Sequence, residues 1–194
     1  MKQFLGTAAA LLISVGVAPS ITLAAGGEDV FVNNVATMIE AKKILEPVDN
    51  FVQTSAYDNA RTNVKYIMNQ LQLQKNADSL VRNSLDFCED PDLIDLATEA
   101  AGRVTTTAQN VDSSVYTVVF IPASDDGSQP PNALKYRKEA IDYLNSFRSD
   151  LDIFIKVADA DRLAKAQTVA AGRIKDLPPV LFKVTKEAPK PAGY

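Results

Sequence analysis

The chain has 194 residues, 46% of them hydrophobic, and a formal net charge of −4. It contains no His, no Trp and a single Cys, Cys88. That composition removes His-based catalytic triads, His general bases, haem ligation by His, the usual zinc sites and any internal disulfide. An acidic chain of this kind is a poor general binder of nucleic acid. It carries no G-x-G-x-x-G, no Walker loop and no G-x-S-x-G.

The first stretch reads as a signal. Lys2 supplies a minimal positive region, and "FLGTAAALLISVGVA" (4–18) an apolar one. Pro19 and Ser20 break it, and Thr22 and Ala24 are small residues at the spacing a signal peptidase uses, so cleavage is expected after Ala24. The apolar run is short of the ~20 residues that a membrane span requires. No twin Arg is present, and no Cys lies near the cut to take a lipid. Loss of 1–24 removes one cation, Lys2, and no acid. About 170 residues remain, enough for one domain with a sizeable core. Without a disulfide, that core must hold the exported domain together.

Helical periodicity dominates the chain beyond this stretch. Phe31, Val35, Met38, Lys42, Leu45, Val48 and Val52 recur at three- and four-residue steps, with a break expected at Pro47. Ser55 and Asp58 form an S-x-x-D helix start. The segment 56–87 then reads as one helix, over 40 Å long at ~1.5 Å per residue. Its stripe is Tyr57, Ala60, Val64, Ile67 and Leu71, then Ala77, Leu80 or Val81, and Leu85. In "EDPDL" (89–93), Asp90 fits the N-cap, Pro91 the first helical position and Asp92 the positive end of the dipole. Leu93, Ala97, Ala100, Val104, Ala108, Val111 and Val115 continue at helical spacing. "VYTVVFI" (115–121) is β-branched and aromatic, and is read as the fraying end of that helix rather than a strand.

"PASDDGSQPPN" (122–132) is a long loop whose Asn132 is expected to cap a fourth helix. That helix carries Leu134, Arg137, Ile141, Leu144, Arg148, Leu151 and Ile155, with Phe147 and Phe154 widening the stripe. A shorter helix is expected from Asp161 to Lys175, stopped by Pro178 and Pro179, and the Pro-rich tail 177–194 is read as extended. The expected fold is therefore all-α. It is an antiparallel up-down four-helix bundle over 25–158, with a C-terminal helix and extended tail over 159–194. A helical hairpin array or coiled coil is less favoured, because the apolar positions keep no strict heptad.

Candidate chemistry is sparse. "FCEDPDLID" and "SDDGS" read as a helix cap and a solvated turn, and "VADADRLAK" (157–165) lacks the Gly and terminal Glu of a calcium loop. No metal or cofactor site is expected, and with no nucleophile–base pair the chain is not expected to be an enzyme. Cys88 is read as a small apolar residue near a helix end, with a reactive thiol or an intermolecular bridge as the alternative. Tyr57, Tyr66, Tyr136 and Tyr143 read as core-edge residues. Lys135 and Lys138 lie three apart on the fourth helix. Arg61 and Lys65, four apart and facing away from the stripe, are the docking candidates together with Lys183, Lys186 and Lys190 of the tail.

"AYDNARTNVKYIMNQLQLQKNADSLVRNSL", following "ILEPVDNFVQTS", resembles the PsbQ-like extrinsic subunits of photosystem II (oxygen-evolving enhancer protein 3). Tyr57, Ala60 and Arg61 take the aromatic, small and basic places that open the family's second helix, Tyr57 standing where Trp is usual. "YRKEAIDYLNSFRSDLDIFI" resembles its last helix. The similarity covers roughly residues 30–157, and segment 159–194 extends past the family's usual end. The resemblance implies a divergent algal member in the thylakoid lumen, peripheral to the thylakoid membrane of a plastid. A nucleus-encoded version needs further targeting upstream of such a signal. The implied role is non-catalytic and without a bound cofactor: covering the manganese-calcium cluster and helping to retain calcium and chloride. The implied partners are core and extrinsic lumenal subunits, with no nucleic acid and no small-molecule substrate. The alternative reading is an exported bacterial helical-bundle adaptor or periplasmic binding protein.

Overall fold

Residues 20–121 and 130–184 are described by the computed structural model. Among them every regular element is helical, in agreement with the all-α expectation. The helices are α1 (Ser20–Leu45), α2 (Val48–Gln53), α3 (Tyr57–Lys65), α4 (Leu73–Phe87), α5 (Pro91–Val119), α6 (Pro131–Lys156) and α7 (Ala160–Lys175). A π-helical turn (Tyr66–Gln70) follows α3, and a 3-10 turn (Pro179–Leu181) follows α7. None of these helices is long and apolar enough to cross a membrane.

Among the described residues, α5 and α6 form the most extensive helix pair. Ala97, Ala100, Val104, Ala108, Val111 and Val115 form a buried face of small side chains on α5. The large side chains of α6 fill the space this leaves: Leu144, Phe147, Leu151 and Phe154 are fully buried. Large residues set against small ones let two helices approach closely without voids. Helix α1 packs against α4, α6 and α7, while α3 and α4 pack on α5.

Local chemistry explains several boundaries. Asp90 caps α5, its Oδ1 accepting from the amides of Asp92 (3.0 Å) and Leu93 (3.3 Å), with Pro91 at the first position. The run 115–119 stays helical. Pro47 separates α1 from α2 as expected. The Leu45 carbonyl, left over at the end of α1, accepts from Nη2 of Arg148 at 2.8 Å, and Arg148 also pairs with Asp49.

Other boundaries differ from the sequence reading. Ser55 does not cap α3; it ends α2. Its φ is 62°, and the amides of Ala56 and Ser55 bond back to Phe51 (2.7 Å) and Val52 (3.4 Å), the pattern of a left-handed helix stop. Asn132 lies inside α6, which begins at Pro131 after Pro130. The single helix expected over 56–87 is broken. The Leu71 amide bonds to Tyr66, five residues back, and Gln72 adopts φ 47°, ψ 50°. The Asn76 side chain then takes the Leu71 carbonyl at 2.6 Å. The cause is a change of phase. Ala60, Val64 and Ile67 are buried on one side of the break, and Leu73, Ala77, Leu80 and Ser84 on the other. Ile67 and Leu73 are six positions apart, which one unbroken helix would set on different faces. The same shift leaves Leu85, expected in the core, 70% exposed. On α6 the stripe runs through Ala133, Ala140, Leu144, Phe147, Leu151 and Phe154, so Leu134 is exposed and Ile141 only partly buried.

Helix α7 spans nearly the expected residues, capped by Asp159, which accepts from the Arg162 amide at 2.8 Å. Ala166 and Ala170 are buried, and α7 lies along α1. The tail is not extended over 177–184. Leu177 and Leu181 join the core, and two buried amide side chains hold the backbone between them and Val184. Asn63 donates to the carbonyls of Leu181 (2.9 Å) and Ile44 (2.8 Å), and Asn59 to that of Lys183 (2.9 Å). Burial of two Leu side chains together with these bonds outweighs the extended preference of Pro178 and Pro179. Residues 185–194 lie outside the described chain.

Candidate docking face and buried polar groups

Arg61 and Lys65 stand one turn apart on α3, but they play different parts. Arg61 does not face solvent freely. Its Nε donates to Oδ1 of Asp112 on α5 at 2.8 Å, and its guanidinium carbon lies 4.3 Å from the centroid of the Tyr116 ring. Arg61 does lie off the buried stripe, but its charge is matched within the fold and ties α3 to α5. The reason is that α5 passes along the flank of α3 that the stripe leaves open. Lys65 is exposed. Lys183 is also exposed, and the Asn59 bond brings it to the flank of the same helix. Lys186 and Lys190 lie outside the described residues. Lys135 pairs with Glu139 and lies over the Tyr136 ring. Tyr57 and Tyr66 pack against the core edge. Tyr116 and Phe120, with ring centroids 4.6 Å apart, close the exposed end of α5.

The acidic motifs resolve into structural roles. Asp90 and Asp159 are caps, and "SDDGS" (124–128) lies outside the described chain. Among the described residues no three His, Cys, Asp or Glu side chains are grouped to hold a metal. Cys88 ends α4, half-buried, with its thiol 3.5 Å from the Asp90 carbonyl. It lines a cleft of about 410 Å³ between the α4–α5 and α6–α7 turns, with Phe87, Leu93, Val157 and Arg162. Arg162 lies over the Phe87 ring at 5.0 Å and pairs with Asp159. Lys165 reaches Glu28 of α1 at 2.7 Å. That bond holds the Glu28 carboxyl below its usual value and raises Lys165. The Arg162 amide lowers Asp159 in the same way.

Two buried carboxylates escaped the sequence reading. Asp150 on α6 accepts from both Nε (2.9 Å) and Nη2 (2.7 Å) of Arg103 through Oδ1, while its Oδ2 is buried without a partner. Burial pushes its carboxyl above the ordinary range, and Arg103 pulls it part of the way back. Glu40 on α1 is 5% exposed. Both were detectable from spacing alone. Glu40 sits four residues from Ala36 and from Ile44, and Asp150 sits between Phe147 and Phe154, all four of them fully buried. A polar residue on an apolar stripe marks such a position.

No family model, curated protein or solved structure matches the chain.

Proposed function

We propose that the chain is a non-catalytic extrinsic subunit of photosystem II, a PsbQ-like protein on the lumenal face of the thylakoid membrane. There it covers the manganese-calcium cluster and helps to retain calcium and chloride. The fold is read as a four-helix bundle of α1, α3 with α4, α5 and α6, carrying α7 as an added layer on α1. One observation carries the proposal. The two stretches that bear the family resemblance, opening at Tyr57 and at Tyr136, both lie in helices packed into one core. Steric cover suits such a body: a rigid helical surface slows ion escape and reductant entry without binding the metal itself.

Docking would rest on exposed cations near α3. Lys65 and Lys183 are the best placed, whereas Arg61 is engaged by Asp112. Exposed charge pairs are screened once the Debye length falls to ~3 Å at 1 M salt. Washing oxygen-evolving membranes with concentrated NaCl should release the protein and make oxygen evolution more dependent on added calcium and chloride. Replacing Lys65 and Lys183 by Glu should weaken rebinding while leaving the helical circular dichroism unchanged. Absence of the protein from purified oxygen-evolving particles would overturn the proposal and favour an exported adaptor.

A further inference from the structure

Glu40 lies in the last third of α1, on a helix that packs against α7, with Tyr66 of the π turn close enough to act on it. No hydrogen bond to its carboxylate exists among the described residues. Two titratable or charged groups act on it: Arg173 from α7 and Tyr66 from the π turn. Arg173 does not bond it. Its guanidinium is committed to α1 elsewhere, donating to Oδ1 of Asn33 at 2.6 Å and to Oγ1 of Thr37 at 3.1 Å. The remaining charges nearby have other partners. Lys43 pairs with Glu46, and Lys42 with Asp152 of α6. On α4, Lys75 donates to Gln72 and Asp78 accepts from Gln74. An ionised Glu40, 5% exposed and without a donor, is poorly hydrated and unpaired, a costly state for a carboxylate.

Two features beside it permit local opening without loss of the whole fold. The π turn and the left-handed Gln72 interrupt the helix beside it. Helix α7 fully buries only Ala166 and Ala170; Leu163, Val169 and Ile174 pack partly buried on the core, and Arg162, Lys165 and Arg173 add polar contacts to α1. We propose that Glu40 is a proton-operated latch: its neutral form keeps α7 closed on α1 and the neighbouring π turn in place, and its ionised form loosens both to gain fuller hydration. This holds whatever the compartment and does not depend on the functional reading above.

Burial raises the Glu40 carboxyl above the usual range, Arg173 opposing in part, and burial with the Glu40 charge raises Tyr66. A carboxyl raised by folding stabilises the closed state below its unfolded pKa, and that contribution is lost as pH rises through the folded value. Glu28 and Asp159, which also bear on α7, are shifted down. Their contribution is lost only as pH falls through and below the ordinary carboxylate range, so the latch acts on the alkaline side of them.

Hydrogen exchange on the purified chain at about pH 7.5 and about pH 5, corrected for the intrinsic rate, tests this segment by segment. In the wild type, opening of 66–72 and of α7 should fall on acidification, by at most about tenfold per pH unit. In Glu40→Gln, the neutral isostere, opening should already be low near neutrality and independent of pH. Asp150→Asn, on the α5–α6 pair, should keep the wild-type response in α7. Unchanged opening in the wild type, or a wild-type response persisting in Glu40→Gln, would overturn the proposal. So would its disappearance in Asp150→Asn. A carboxyl-carbon NMR titration of wild-type Glu40 gives a second reading; a midpoint at or below that of an exposed Glu also overturns it.

Discussion

Asp150 owes its place in the core to Arg103. One carboxylate oxygen takes two guanidinium donors while the other is shut away from both water and protein. Arg103 itself is 47% exposed, so the pair falls between a surface bridge and a fully desolvated one. Arg103→Ala should therefore cost about 2 kcal/mol, most of it from stranding the buried acid. The folded Asp150 carboxyl is raised by burial, Arg103 opposing in part, so the cost of its charge is removed as pH falls through the folded value. The Arg103→Ala loss should accordingly shrink in urea titrations at about pH 5 relative to about pH 7. A loss that grows on acidification would contradict this account. The two leucines of α6 make a plainer pair. Leu144 is fully buried and Leu134 is not. Leu144→Ala should cost about 3 kcal/mol and Leu134→Ala less than about 0.5 kcal/mol in the same titration.

At the scale of the element, the break between α3 and α4 is the feature with the clearest energetic cost. Gln72 carries a side chain in the left-handed region, where an L-residue is disfavoured by about 1–2 kcal/mol and glycine is not. Gly also loses more freedom on folding, which offsets part of the gain. Gln72→Gly should raise unfolding stability by about 0.5–1 kcal/mol, read from the denaturant midpoint. A destabilised variant would mean that the break is not held in this conformation. The same reasoning explains why α2 stops cleanly at Ser55, whose left-handed backbone closes the helix with two bonds back into its last turn.

For the whole molecule, α7 and the segment after it are part of the same core as the longer helices. Ala166, Ala170, Leu177 and Leu181 belong to one cluster with residues of α1 through α6. Removing 159–194 would strip α7 from α1, breaking the Arg173 bonds to Asn33 and Thr37, and leave Asn59 and Asn63 without their tail carbonyls. A chain ending at 158 should therefore unfold at a lower temperature, and the intact chain in a single cooperative transition. Calorimetry of both decides it. Two separate transitions in the intact chain, the earlier abolished by truncation, would show that α7 folds as its own unit.

Where local chemistry decides, the sequence was sufficient. The Asp90–Pro91 cap, the break at Pro47, the apolar stripe of α5 and the span of α7 each depend on residues within a turn or two of one another. Stripes at helical spacing were enough for the helical class. What depended on distant partners was not legible. Arg61 looked like a free cation because Asp112 stands 51 positions away in sequence. The tail looked extended because the amide groups that hold it, on Asn59 and Asn63, lie more than a hundred positions earlier. The phase change at Gln72 carries no Gly or Pro to announce it. It arises from the need to point Ile67 and Leu73 into one core, and only the packing of α3 and α4 against α5 decides where that core lies.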